Sequence, residues 1–292
     1  MKRLMLIIIM AGALLWALVT VDLNDWRMVT AYINWPSVMF IILIQCATFL
    51  LMGRQWVKLL KYDRHVPLNK AVRILLISAF TEGITPSAKF GSEAAKGYLL
   101  RKEFGLSMTR VISVISVQKV ISLAALIPFL ILAAALITNE TGGFIYLLGT
   151  MTAAVLVLCY VMKKKGTEKL RKAVFVWTKK DYAEQVLMSA LIWFLFPLKA
   201  YLLSLSLNLD ISFIMITAVV FLPYAAALLP LTPGGLGTFE AVMVGVLAGM
   251  AIAPEAAIAF TLLFRLITFW LGVAAGGLAT LTLTAKKPVL SS

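Results

Sequence analysis

The chain has 292 residues, 62% of them hydrophobic and 14% charged, with a formal net charge of +14 and a mean hydropathy of +0.97. A soluble domain carries about 25% charged residues, so the composition excludes a soluble globular protein and leaves no length for a sizeable soluble domain. It implies one all-α polytopic integral membrane domain over residues 1–292 in the cell membrane. The surplus of bases lies in short loops, which is the positive-inside pattern of membrane chains rather than the footprint of a nucleic-acid partner.

Lys2 and Arg3 precede an apolar run over residues 4–21. No small-x-small cleavage site follows it, so it is expected to be an uncleaved first span with a cytoplasmic N-terminus. Residues 22–36 form an external loop, with Trp26 and Trp35 as interfacial anchors, and residues 37–53 return inward. Arg54, Lys58, Lys61, Arg64, Lys70 and Arg73 make the next segment cytoplasmic. Residues 74–84 and 90–104 are each too short to span, because a membrane helix needs about 20 residues. Their flanks are basic on both sides, so the pair is expected to be a re-entrant hairpin dipping from the cytoplasm and turning at Thr85-Pro86. An amphipathic surface hairpin is the alternative.

Residues 111–137 then span outward, residues 139–143 turn, and residues 144–162 return. The polar segment 163–185 is a cytoplasmic link, with Val174, Phe175 and Trp177 expected to face lipid. Residues 186–207 span outward. Residues 213–229 and 239–253 form a second broken hairpin, dipping from outside unless each crosses a thinned bilayer. Residues 256–283 return to the cytoplasm, where Lys286 and Lys287 close the chain. The expectation is therefore about six spanning helices plus two re-entrant hairpins. Cys46 and Cys159 both lie in apolar runs and point to no disulfide framework.

The two hairpin breaks resemble each other. Thr85-Pro86 is followed by Glu93-Ala94, and Thr232-Pro233 by Glu240-Ala241, eight residues from Thr to Glu in each case. Each copy then places one cation in an apolar helix, Lys119 at 26 residues and Arg265 at 25 residues beyond the glutamate. Pro233 with Gly234, Gly235 and Gly237 breaks the backbone. Broken backbone at membrane depth survives only where protein buries it or a wet cavity receives it. The pattern is that of an internal repeat, with half-repeats at about 37–138 and 186–284 joined by residues 144–185. The helices flanking the two breaks run in opposite senses, which makes the repeats inverted. Paired Pro/Gly-interrupted segments in the two halves of a membrane chain mark the binding site of a transporter.

The run Leu231-Thr-Pro-Gly-Gly-Leu-Gly-Thr-Phe-Glu240, followed by Arg265, resembles the membrane region of lysylphosphatidylglycerol synthases and its free-standing, flippase-like relatives. Gly91-Ser92-Glu93 with Lys96, Tyr98, Leu99 and Leu100 resembles the first-half motif of the same family. The resemblance covers roughly residues 5–284. It implies movement of aminoacylated or other phospholipids between leaflets, and no lipid synthesis, because the soluble transferase domain of the synthases has no counterpart here. The chain departs from the family at Gln118-Lys119, where Glu-Arg is common, and at Ser122, where an Asp is common.

Glu93 and Glu240 each sit near the start of a half-helix, where the helix dipole favours a carboxylate. They are either caps paired with Lys96, Lys119 and Arg265, or switchable partners around a polar cavity. In the second case a phosphate-bearing headgroup engages Lys119 or Arg265, with Lys96 and Arg101 on the cytoplasmic rim. Glu82 is the weaker candidate, having no match in the second half. Enzyme chemistry finds little support. His65 is the one histidine, no Cys/His/Asp cluster has metal-ligand spacing, and Ser87 and Ser92 lack a base. No cofactor is expected. The expected function is a lipid flippase. The alternatives are a proton-coupled carrier of small anions, a membrane-embedded transferase or phosphatase, and a non-transporting partner of a lipid- or glycan-synthesis enzyme.

Overall fold

The computed structural model describes residues 34–85, 90–137, 177–227 and 232–285, and among them every regular element is a helix. They are α1 (Trp35–Leu59), α2 (Leu68–Ile84), α3 (Phe90–Phe104), α4 (Met108–Ile137), α5 (Lys179–Ser206), α6 (Phe213–Ala226), α7 (Thr238–Gly249), α8 (Pro254–Arg265) and α9 (Leu271–Ala285). A single π turn, Leu266–Trp270, joins α8 to α9 in one continuous rod. Four of these stretches are long and apolar enough to cross a bilayer: Trp35–Leu59, Met108–Ala133, Lys179–Ser206 and Pro254–Thr282. The spans expected at residues 4–21 and 144–162, the loop before Ile33 and the turn at 139–143 lie outside the described residues, as does most of the link at 163–185.

The helices extend past the apolar runs that signal them. α1 continues through Arg54 to Leu59 because Trp56 and Leu59 are buried. α2 begins after Pro67, so Lys70 and Arg73 lie on the helix and not in a loop. Asn34 caps α1, its side chain accepting from Ser37 N at 3.3 Å. Thr178 and Asp181 form a reciprocal capping box at the start of α5. Pro128 and Pro197 sit inside α4 and α5 without ending them. Trp177 does not face lipid: it is buried, with the Arg110 guanidinium 5.6 Å from its ring and Tyr182 against its edge.

α1 and α5 pack side by side and run antiparallel. Lys58 meets Glu184 at 2.6 Å, Gln55 donates to Ser189 Oγ at 2.7 Å, Lys199 donates to Gln45, and Asn34 N meets Ser206 O at 3.5 Å. α2 packs on α9, and α6 packs on α4. The α2–α9 crossing brings backbones into contact, since a Cβ at Gly276 would lie 1.9 Å from the Leu76 carbonyl oxygen. α2 and α3 form a hairpin whose open end is closed by Arg73, with one nitrogen 2.7 Å from both Glu103 oxygens.

One end of the bundle is basic. Lys61 pairs with Asp181, Arg110 with Asp63 at 2.7 Å, and Arg54, Arg64, Lys70, Arg101 and Lys102 lie on the same ends of the same helices. The hydrogen bond to the Asp181 carboxylate holds the Lys61 ammonium above its ordinary value. The other end carries Asn34, Asn208, Asp210 and Glu255, and no base among the described residues.

Candidate functional site

The glutamate that follows each helix break meets a cation of the bundle. In the first half, Glu93 lies in the first turn of α3. Its carboxylate accepts from Lys119 Nζ at 2.7 Å and from Lys96 Nζ at 3.0 Å. Lys96 is buried, with its ammonium 5.0 Å from the Trp56 ring centroid, whereas the Lys119 side chain is 37% exposed. Thr85 ends α2 and turns its hydroxyl back onto the Thr81 carbonyl at 2.7 Å. Pro86 lies outside the described residues.

In the second half, Pro233–Gly235 form one short 3-10 turn, and Gly234, Gly235 and Gly237 have φ of +59°, +71° and +81°. Those angles suit glycine. Space imposes a second demand, since a Cβ at Gly234 would fall 2.6 Å from Phe269 Cζ and one at Gly235 would fall 2.8 Å from Ala227 Cβ. Thr232 and Thr238 share a hydrogen bond at 3.0 Å across the turn. Glu240 caps α7 by accepting from Gly237 N at 2.7 Å and binds Arg265 Nε at 2.8 Å. Arg265 also donates to the Gly234 carbonyl at 2.7 Å, and its guanidinium lies 4.5 Å and 4.2 Å from the Phe239 and Phe269 ring centroids. The π turn begins at the next residue. Such turns often occur at functional sites because they re-aim side chains.

The expected pairs therefore both form. Arg101 does not join them: it is exposed at the far end of α3, beside Tyr98 and Lys102. Lys96, expected on the rim, is part of the first cluster. Gln118 and Ser122 also face it. Gln118 donates to Gln55 at 3.5 Å, and Ser122 Oγ accepts from Trp193 Nε1 at 3.2 Å. Among the described residues no group of three His, Cys, Asp or Glu side chains could hold a metal.

Two cavities lie between the breaks. The first, about 220 Å³, is lined by Glu93, Lys96, Lys119, Gln118 and Gln55. The second, about 180 Å³, is lined by Arg265, Gly234, Gly235, Gln45 and Thr268. They adjoin, because Phe49, Met52, Ala79, Glu82, Phe196 and Tyr224 line both.

Lys199 escaped the sequence reading. It is 0% exposed, donates to Gln45 and to Thr48 Oγ1 at 3.5 Å, and lies 4.2 Å from the Phe196 ring centroid. Gln45 in turn donates to the Thr268 carbonyl in the π turn at 3.4 Å. The signal was present in the sequence: a single lysine in the middle of an apolar span is costly and marks a functional or structural site.

The chain is 24% identical to a UPF0104 membrane protein of Pyrococcus horikoshii, over 87% of this chain and 89% of that one. It is 24% identical to one from Methanocaldococcus jannaschii, over 85% of each chain, and 25% identical to one from Methanothermobacter thermautotrophicus, over 71% and 73%. The family described as the lysylphosphatidylglycerol synthase TM region matches residues 4–276, which include both breaks and both cations, and the chain belongs to that family.

Proposed function

We propose that this protein is a lipid transporter, not an enzyme. It carries an anionic phospholipid or polyprenyl-phosphate-type lipid between leaflets through the paired cavities, and the two inverted half-repeats alternate in opening them. The observation that carries this reading is that two acid–cation pairs, Glu93 with Lys119 and Glu240 with Arg265, sit at adjoining cavities.

Several features support the repeat. Thr85 and Thr232 are 147 residues apart. Adding 147 to the bounds 35–59, 68–84, 90–104 and 108–137 gives 182–206, 215–231, 237–251 and 255–284. The observed counterparts span 179–206, 213–226, 238–249 and 254–285. Exchanging the halves also maps the packing onto itself: α1 on α5 is its own image, and α2 on α9 becomes α6 on α4. The equivalent helices α1 and α5 are antiparallel, which favours inversion.

Depth supports re-entrant hairpins. Lys119 and Arg265 each lie 11 residues beyond the first residue of their helix, Met108 and Pro254. At 1.5 Å per residue that is about 16 Å, near half the hydrocarbon thickness. This depth, with Glu93 on Lys119 and Glu240 on Arg265, supports hairpins that enter from opposite ends, as the broken helices of transporters do. The positive-inside rule favours the cytoplasm for the basic end.

The chemistry suits a phosphate. Arg offers a planar fork for two oxygens and Lys119 a partly exposed point charge. The family takes its description from a protein that makes an aminoacylated phospholipid, which favours a lipid over a small soluble anion. Purified protein in proteoliposomes is expected to speed leaflet exchange of fluorescent anionic lipids over protein-free vesicles. Exchange of no lipid in a panel spanning phosphatidylglycerol, its lysyl ester and polyprenyl phosphate would refute the proposal. Copurification with a lipid- or glycan-synthesis enzyme would then favour the non-transporting role.

A further inference from the structure

Glu82, in the last turn of α2, is half-buried and is the one carboxylate among the six side chains that line both cavities. Among the described residues it joins no salt bridge, because Glu93 and Glu240 hold Lys96, Lys119 and Arg265. The residue 147 positions later is Leu229, so the acid has no counterpart in the second half. An acid at the junction of two otherwise balanced clusters is reachable from whichever cavity is open.

The groups that face it fix its electrostatic setting. α3 contributes Glu93 and Lys96, α4 Lys119, α6 Tyr224, and α8 Arg265 with its α7 partner Glu240. α1 and α9 present Gln45, Thr48, Phe49, Met52 and Gly272, none of them titratable. α5 presents Phe196, with Lys199 behind it on Gln45 and Thr48. Fully ionised, the constellation holds four cations (Lys96, Lys119, Lys199, Arg265) against three carboxylates (Glu82, Glu93, Glu240). An anionic headgroup docked on Lys119 or Arg265 cancels positive potential and sets a second negative charge near Glu82. A proton carried on the Glu82 carboxyl offsets that added charge. Lipid minus one and proton plus one leave the loaded site with the charge of the empty site.

We propose that Glu82 is a proton site coupled to the passage of the anionic lipid. It takes a proton from water on the side where the headgroup enters, forming a carboxyl O–H, and returns it to water where the lipid leaves. Lipid and proton therefore travel together without net charge. The inference rests on the lipid-transport reading above.

Two measurements separate this proposal from that reading. In weakly buffered detergent, titration with short-chain phosphatidylglycerol should draw about one proton per lipid bound into the parent protein, and none into Glu82→Gln. In proteoliposomes, a gradient of about one pH unit should drive the same lipid to as much as a tenfold leaflet asymmetry. Glu82→Asp should keep that response. Glu82→Gln should exchange lipid without pH-driven asymmetry and should instead respond to a valinomycin potassium potential, because the anion now moves alone. Lipid binding to the parent without proton uptake, or pH-driven asymmetry in Glu82→Gln, would overturn the proposal. Proton uptake by the parent without leaflet exchange would sustain the Glu82 assignment and overturn lipid transport.

Discussion

Neutralising Glu240 should destabilise the protein more than neutralising Glu240 and Arg265 together. Arg265 is 4% exposed, and its partners are the Glu240 carboxylate at 2.8 Å, the Gly234 carbonyl at 2.7 Å and two aromatic faces. Glu240→Gln leaves a buried guanidinium with a carbonyl and two rings. Breaking a buried pair from one side costs about 3–5 kcal/mol. The remaining partners and the 22% exposure of the Glu240 side chain put the expected cost near the low end, about 3 kcal/mol. Arg265→Gln leaves Glu240 with the Gly237 N–H and the start of α7, so its cost should be smaller, about 1–3 kcal/mol. The double variant strands no charge, so relative to the sum of the single changes it should recover more than the whole cost of Arg265→Gln, about 1–3 kcal/mol. Thermal unfolding in detergent, with denaturing-detergent titration for free energies, measures all four proteins. Additive costs would refute the reasoning and show that the rings and Gly234 hold Arg265 without help from the carboxylate.

Three further outcomes follow from the geometry. Gly235→Val combines a φ of +71° with a Cβ 2.8 Å from Ala227 and should cost about 2–5 kcal/mol, whereas Gly249→Val, with nothing within 4 Å, should be tolerated; equal melting temperatures would contradict the turn geometry. Lys199→Met should keep or raise the melting temperature, because an apolar side chain can replace a buried charge that has neutral partners, while Gln45→Leu should lower stability by about 1–3 kcal/mol by leaving that ammonium undersatisfied; the reverse order would contradict this assignment. In a background lacking Cys46 and Cys159, an impermeant thiol reagent applied to sealed cells should label Asn208→Cys but not Arg64→Cys, both sites being exposed; labelling of Arg64→Cys from outside would invert the assigned topology.

The parts of the site legible in the sequence were those where a charge or a helix breaker interrupts an apolar run. Glu93, Lys119, Glu240 and Arg265 stood out because a lone charge in such a run is costly, about 2.5–3.5 kcal/mol on insertion scales, and their pairing followed from the repeated spacing. Lys199 breaks an apolar run in the same way, yet it has no acid at a matching spacing, and its neutral partners Gln45 and Thr48 come from another helix. Glu82 looked weak because the repeat does not match it, but its place depends on where α2 meets both cavities, which only packing decides. Arg101 shares the basic flank of α3 with the site's Lys96, and five residues along the helix carry it to the far end. Apolar runs understate the helix ends because such a run marks only where hydrocarbon lies. The helix itself continues wherever residues such as Trp56, Leu59 and Arg110 find protein partners. The amphipathic context of Trp177 points to lipid, but Arg110 and Tyr182 cover it.

The most direct test compares leaflet exchange by the parent protein with that by the Glu240→Gln/Arg265→Gln double variant, reconstituted at equal density after folding is verified. If the paired charges at the midplane form the transport site, the parent accelerates exchange of an anionic lipid and the folded double variant exchanges at the protein-free rate. A folded double variant that exchanges lipid as fast as the parent would contradict it.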